Sequence, residues 1–225
     1  MSQTYYGERE KCYKCYRPQS SCMCSYVTKI ETDTKFIVLM HPKEFKKVKN
    51  GSGRLTHLSL PNSHLFIGID FTNHKEINEI ISSYHSFVLY PSEDAINITN
   101  QSPMKKDSKK SMAVFIIDST WACSMKMLRE SKNLQKLDSI SFSTTKLSQF
   151  KIKEQPEEYC LSTIESTLEV LESLNRWGIE DIKDEELEKF LNPFHKMIEY
   201  QIGCVDEHSE GSVRFKKKDG LDSVD

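Results

Sequence analysis

Short, wholly apolar runs alternate along this chain with stretches of helical periodicity. The clearest run is Ala113-Val114-Phe115-Ile116-Ile117, with three β-branched residues. So short a run between polar ends predicts a strand buried on both faces. Lys35–Met40, Leu65–Asp70 and Phe87–Tyr90 predict three more strands, and Leu137–Phe142 a short fifth. Asn73–Ser83 carries Ile77, Ile80 and Ile81 at helical spacing, and Met125, Met127 and Leu128 among charged residues read as another helix. Cys160–Glu165 opens a longer one. Ser162 or Thr163 suits its N-cap, Glu165 stands at the capping-box spacing from Ser162, and Gly178 ends it after Leu168, Leu171 and Leu174. Asp184, Glu185 and Glu186 suit the positive start of a last helix. Leu187, Phe190, Leu191, Phe194, Met197 and Ile198 form its apolar face, interrupted at Pro193. Lys43–Lys49 reads as a basic helix or turn, Asn50–Arg54 as a glycine loop, and Ile96–Lys110 as a polar loop.

The central strand ends in Asp118-Ser119-Thr120-Trp121. Open α/β sheets bind ligands at the carboxyl ends of their strands, which makes this corner a candidate site. A plainer reading has Asp118 capping the next helix and Trp121 filling the core. His41-Pro42 closes the Lys35–Met40 run in the same way. His41 could be a base, a substrate contact or a structural group, and nothing in the sequence pairs it with a partner.

Cys12, Cys15, Cys22 and Cys24 form one C-x-x-C and one C-x-C pair. Four soft thiolates suit a closed, structural Zn²⁺ site, which would stabilise a segment too short for its own core. Four free thiols in a loose tail is the alternative. A redox C-x-x-C lacks the βαβ context it needs.

With 225 residues the chain allows one large domain or a domain with an appendage. The reading divides it into a zinc-binding module at 1–30, a main α/β domain at 31–204, which the resemblance below makes the catalytic one, and a polar, flexible tail at 205–225. Charged residues make up 28% yet the net charge is only −2, so a nucleic-acid partner must meet local patches. Two stand out: Lys43, Lys46, Lys47, Lys49 and Arg54, then Lys105, Lys106, Lys109 and Lys110. No apolar run reaches the ~20 residues that span a bilayer, and the amino terminus lacks a signal-peptide pattern, so a cytoplasmic protein is expected. Seven cysteines there favour metal or free thiols over disulfides.

Taken together, these residues resemble the DTW-domain family. The matching pieces, in the family's order, are the cysteine cluster, His41-Pro42-Lys43-Glu44, Asn50…Gly53-Arg54-Leu55, Leu89 to Ala95, Asp118-Ser119-Thr120-Trp121 and Ser162-Thr163-Ile164-Glu165. Two positions depart from the common pattern: Ser119, where the family often has Gly, and Gly51, where it often has Thr. The resemblance implies a SPOUT-like α/β fold, a mostly parallel sheet flanked by helices with a carboxyl-terminal knot. It also implies a tRNA-uridine aminocarboxypropyltransferase that moves the 3-amino-3-carboxypropyl group of S-adenosylmethionine to N3 of a uridine and releases methylthioadenosine. Asp118 then becomes the catalytic base or a positioning acceptor. Leu89, Tyr90, Pro91, Ser92, Thr120, Trp121, Ser162 and Thr163 become the donor pocket. Lys46, Lys47, Lys49, Arg54, Lys126, Arg129, Lys151 and Lys153 become the tRNA phosphate contacts. A SPOUT-like RNA methyltransferase and a non-enzymatic zinc-bearing RNA-binding protein are the alternatives.

Overall fold

The computed structural model describes residues 10–47, 51–105, 110–150 and 160–206. Six strands form one sheet: β1 (Lys35–Met40), β2 (Ser63–Ile67), β3 (His85–Leu89), β4 (Ile96–Asn97), β5 (Met112–Asp118) and β6 (Asp138–Ser141). All pairings are parallel, in the order β2-β1-β5-β3-β6-β4. The helices are α1 (Pro42–Lys47), α2 (Ser52–Ser59), α3 (Lys75–Ser83), α4 (Trp121–Glu130), α5 (Thr163–Arg176), α6 (Asp184–Lys189) and α7 (Asn192–Asp206).

The unbroken apolar runs of β1 and β5 are explained by two cores, one on each face of the sheet. Phe36, Val114 and Ile116 point to the face covered by α2, α5 and α7, where Leu55, Leu171, Leu174 and Phe194 pack. Ile37, Leu39, Ala113 and Phe115 point to the other face, against Ile77 and Ile80 of α3 and Met127 of α4. This is the α/β fold with a parallel sheet flanked by helices that the resemblance implies. The path through 151–159, on which a knot depends, lies outside the described residues, as do Asn50 and the segment from 207 onward.

Several element boundaries differ from the sequence reading. β2 starts at Ser63 and ends at Ile67, although the Gly68 N–H still donates to the Met40 carbonyl at 3.1 Å. The polar stretch after Ala95, read as a loop, contributes Ile96 and Asn97 as an edge strand on β6. The glycine loop at 50–54 instead opens α2, with Gly51 as N-cap. α4 starts at Trp121, four residues earlier than its apolar spacing suggests. At α5 the Glu165 carboxylate reaches back to the Ser162 N–H at 2.8 Å. Gly178, with φ +67, closes a Schellman turn: its N–H meets the Asn175 carbonyl, and the Ile179 N–H meets that of Leu174. Pro193 lies in the first turn of α7, where its missing N–H costs nothing.

Candidate active site and cysteine cluster

Chain connections decide where a parallel sheet opens. From β1 the chain moves to β2 on one side; from β5 it moves to β6 on the other. The neighbours β1 and β5 therefore diverge at their carboxyl ends, which creates a crevice. The register places Met40 opposite Asp118, so His41-Pro42 and Ser119-Thr120-Trp121 leave the sheet side by side. The His41 N–H donates to the Asp118 carbonyl at 3.1 Å and holds the two exits together.

A cavity of about 630 Å³ opens beside this point, within the range of small-molecule sites. Its walls come from the carboxyl ends of β5, β3 and β6, from α1, α2 and α4 beside them, and from the start of α5. Of the residues expected to form a donor pocket, Leu89, Tyr90, Pro91, Thr120, Trp121, Ser162 and Thr163 line it, and so does Asp118. Ser92 does not; it is exposed, and its carbonyl closes a turn with the Ala95 N–H at 3.1 Å. The sequence reading gave no pocket role to Glu44 and Ser52 from the β1 side, or to Phe142 and Phe150 from the segment after β6. These lie far apart in the chain, and only the strand order joins them.

Asp118 does not cap the following helix. Thr120 is the N-cap of α4, and the Asp118 carboxylate turns instead towards α2 and α5. It is 5% exposed, and Oδ1 accepts a 2.6 Å hydrogen bond from the Thr163 hydroxyl. Gly53 explains how α2 comes so near: a Cβ there would stand 2.5 Å from Cγ and Oδ2 of Asp118. The glycine is required for close approach, since its φ lies outside the left-handed region. The carboxylate thus rests on the first turn of a helix, where partial positive charge gathers. Trp121 is not core filler either. It is 43% exposed at the cavity rim, with its ring centroid 6.3 Å from that of Tyr90.

His41 is buried, and Nδ1 accepts the Lys43 N–H at 3.1 Å. Burial, then the charges of Lys43 and Lys126, lower its pKa, so the ring is neutral near pH 7. Its observed contacts are those of a group that shapes the start of α1.

The four cysteines converge. Their sulfurs all lie within 4.8 Å of one another, with Cys12–Cys24 and Cys15–Cys22 both at 3.7 Å. Ligand bonds of about 2.3 Å in a tetrahedron require S···S edges of roughly 3.8 Å, so the cluster fits a metal ion. Backbone N–H groups of Cys15 and Lys14 bring the Cys12 thiol down to about 6, whereas burial raises Cys22 and Cys24. The cluster is tied to the larger core, because Met23 packs there and the Ile30 N–H donates to the Ser59 carbonyl at 2.9 Å.

The expected cationic residues divide. Lys46 on α1 and Lys126 and Arg129 on α4 are exposed, on the two helices that leave the crevice. Lys47 ends α1, while Lys49, Lys151 and Lys153 lie outside the described residues. Arg54 is engaged inside the protein: its guanidinium lies 4.3 Å from the ring centroids of both Tyr16 and Phe45. Among the described residues no helix is long and apolar enough to cross a membrane.

The chain is similar to known proteins. The protein tRNA-uridine aminocarboxypropyltransferase 2 of Drosophila melanogaster is 26% identical over 213 residues, covering 91% of this chain and 80% of that protein. The Mus musculus protein of the same name is 25% identical over 176 residues, covering 75% of this chain and 57% of its own length. The Macaca fascicularis protein, also of that name, is 26% identical over 177 residues, with the same coverage of 75% and 57%. The chain therefore spans little more than half of the two mammalian relatives. No solved structure matches significantly. The DTW domain model matches residues 9–202, and the chain belongs to the DTW-domain family.

Proposed function

We propose that this protein is a tRNA-uridine aminocarboxypropyltransferase using S-adenosylmethionine. The observation that carries the proposal is the buried Asp118 carboxylate in the wall of a nucleoside-sized cavity, in a chain whose relatives bear that activity in their names. The sulfonium activates three carbons, and orientation selects one. Here the methylene of the aminocarboxypropyl chain faces uridine N3. The N3–C bond forms as the C–S bond breaks, sulfur leaves as the neutral thioether of methylthioadenosine, and the N3 proton passes to Asp118. Thr163 fixes the rotamer of that carboxylate through Oδ1. Leu89, Tyr90, Pro91, Thr120 and Ser162 hold the donor, with Trp121 stacking on a base at the rim. A second role for Asp118, holding the donor ammonium, predicts a different defect and is separated below.

The cysteine cluster takes Zn²⁺, bound by Cys12, Cys15, Cys22 and Cys24. Four thiolates leave no open position, so the ion supplies fold stability and no reaction chemistry. Lys46, Lys47, Lys49, Lys126, Arg129, Lys151 and Lys153 meet tRNA phosphates, and the protein works in the cytoplasm, where its cysteines stay reduced.

The test is mass spectrometry of nucleosides after unmodified tRNA is incubated with protein and S-adenosylmethionine, with Asp118→Asn in parallel. A uridine carrying one aminocarboxypropyl group is expected. The variant should lose about 10²–10⁴-fold in rate with donor affinity kept, as removal of a general base does. Loss of donor affinity instead would make Asp118 the ammonium's partner. A methylated nucleoside would establish the methyltransferase, and an unmodified tRNA that still binds would establish an RNA-binding protein.

A further inference from the structure

Arg54 is the one expected phosphate ligand whose guanidinium sits in an aromatic corner. Tyr16 and Phe45, packed on each other at 57° with centroids 5.9 Å apart, form that corner; each centroid lies 4.3 Å from the central carbon of the guanidinium, and Nη2 donates to the Phe45 carbonyl at 3.3 Å. Tyr16 directly follows Cys15 and adopts φ 59, the left-handed region that a non-glycine residue enters only when its surroundings impose it. The Tyr16 N–H donates to the Cys12 carbonyl at 2.8 Å, so this conformation belongs to the turn that gathers the first cysteine pair.

On its other side Arg54 is joined to Asp118 by two routes. Along α2 its neighbour Gly53 packs on the carboxylate. Through Phe45, whose N–H donates to the His41 carbonyl at 3.2 Å, it reaches His41, whose N–H donates to the Asp118 carbonyl at 3.1 Å. The cysteine turn, the two helices after β1 and the carboxylate therefore meet at one side chain.

We propose that Arg54 is a positioning residue that couples the cysteine cluster to the reaction centre. A filled cluster holds Tyr16 against Arg54, and Arg54 holds the first turn of α2 against Asp118. The inference rests on Asp118 being the reacting group, but the coupling itself can be read without turnover. Arginine suits this place because its broad, weakly hydrated cation can meet both rings of the corner and still donate to the Phe45 carbonyl, which a compact lysine ammonium does less well.

The experiment compares the metal-loaded wild type with Arg54→Met and Arg54→Lys, following hydrogen exchange of Ser52–Ser59, metal content, kcat and tRNA KM. Arg54→Met should keep its metal, speed exchange at the start of α2 and lower kcat about tenfold with tRNA KM within about twofold, as a small misplacement of a reacting group does. Arg54→Lys should restore less than half of the lost rate. Chelation should speed the same exchange in the wild type and add nothing further at α2 in Arg54→Met, with β5 protection unchanged in both. A raised tRNA KM at unchanged kcat, with a salt slope lower by about one, would overturn the proposal and make Arg54 a phosphate contact. Unchanged α2 exchange under both treatments would overturn it as well. If wild-type protein modifies no tRNA, the transferase reading fails while the exchange comparison still decides the coupling.

Discussion

The Asp118 corner and the cysteine turn both border α2, and they reach their order by opposite means. The corner ends a strand packed on both faces: Val114 and Ile116 press into one core, Ala113 and Phe115 into the other. Its geometry is fixed before any ligand arrives. The cysteine turn has Met23 and Ile30 in the core, but the part that carries Cys12 and Cys15 exposes Tyr13 almost wholly and keeps Tyr16 in a left-handed conformation. It needs an added constraint, and its sulfurs stand at the spacing of a metal tetrahedron. One site is organised by burial and the other by ligation. Substitutions at the corner should therefore damage chemistry while sparing the fold, and perturbation of the turn should depend on metal.

Gly53→Ala gives the largest expected effect on this contrast. The added methyl would stand 2.5 Å from the Asp118 carboxylate, so either α2 or the carboxylate must shift by about an ångström. Displacement on that scale costs about 100-fold in kcat. Alanine is the better helix former by nearly 1 kcal/mol, so thermal stability should fall much less than activity. Steady-state kinetics beside thermal melts checks this, and equal losses in both would show that the corner is not separately organised.

Thr163→Val comes next. It removes the hydroxyl that donates to Asp118 Oδ1 at 2.6 Å while keeping the shape of the side chain. A hydrogen bond to a charged group contributes about 1.5–3 kcal/mol; with Gly53 and α2 still holding the carboxylate, the lower end applies and kcat should fall about tenfold. Thr163→Ser, which keeps the donor, should stay within about threefold. A Val variant as active as wild type would mean that another group holds the carboxylate.

The strands at 35–40 and 113–117 were legible because burial on both faces leaves no alternation to misread. The cap at Ser162 and the stop at Gly178 were legible because both signals are local. The start of α2 was not. Asn50-Gly51-Ser52-Gly53 has the composition of a loop, and Gly53 is glycine for the sake of a carboxylate 65 positions further on. No window on the sequence contains that contact. The same holds for Thr163 and Asp118, 45 positions apart, and for Arg54, whose charge suggested phosphate while its partners are two rings from separate segments, packed into one corner. β4 was missed because two residues on a sheet edge leave no period to detect.

The smallest expected effect tests the ligated side of the comparison. In metal-free protein the Cys12 thiol, held near 6 by the Cys15 and Lys14 N–H groups, is mostly thiolate at pH 7. An unperturbed thiol is only about 3% ionised there, a ratio of roughly 30. Low pKa also weakens the nucleophile, by about tenfold over this interval, so the net preference for alkylation at pH 7 is only about two- to threefold. At pH 6 an ordinary thiol loses almost all its thiolate while Cys12 keeps about half, and the preference should widen to about tenfold. Cys22 and Cys24, whose pKa values burial raises, should react last. Peptide mapping after a short iodoacetamide pulse at both pH values measures this order. Labelling that reaches Cys24 first would show that the turn around Cys12 does not persist without metal, so that ligation creates the geometry; preferential Cys12 labelling would show that the backbone prepares one thiolate in advance.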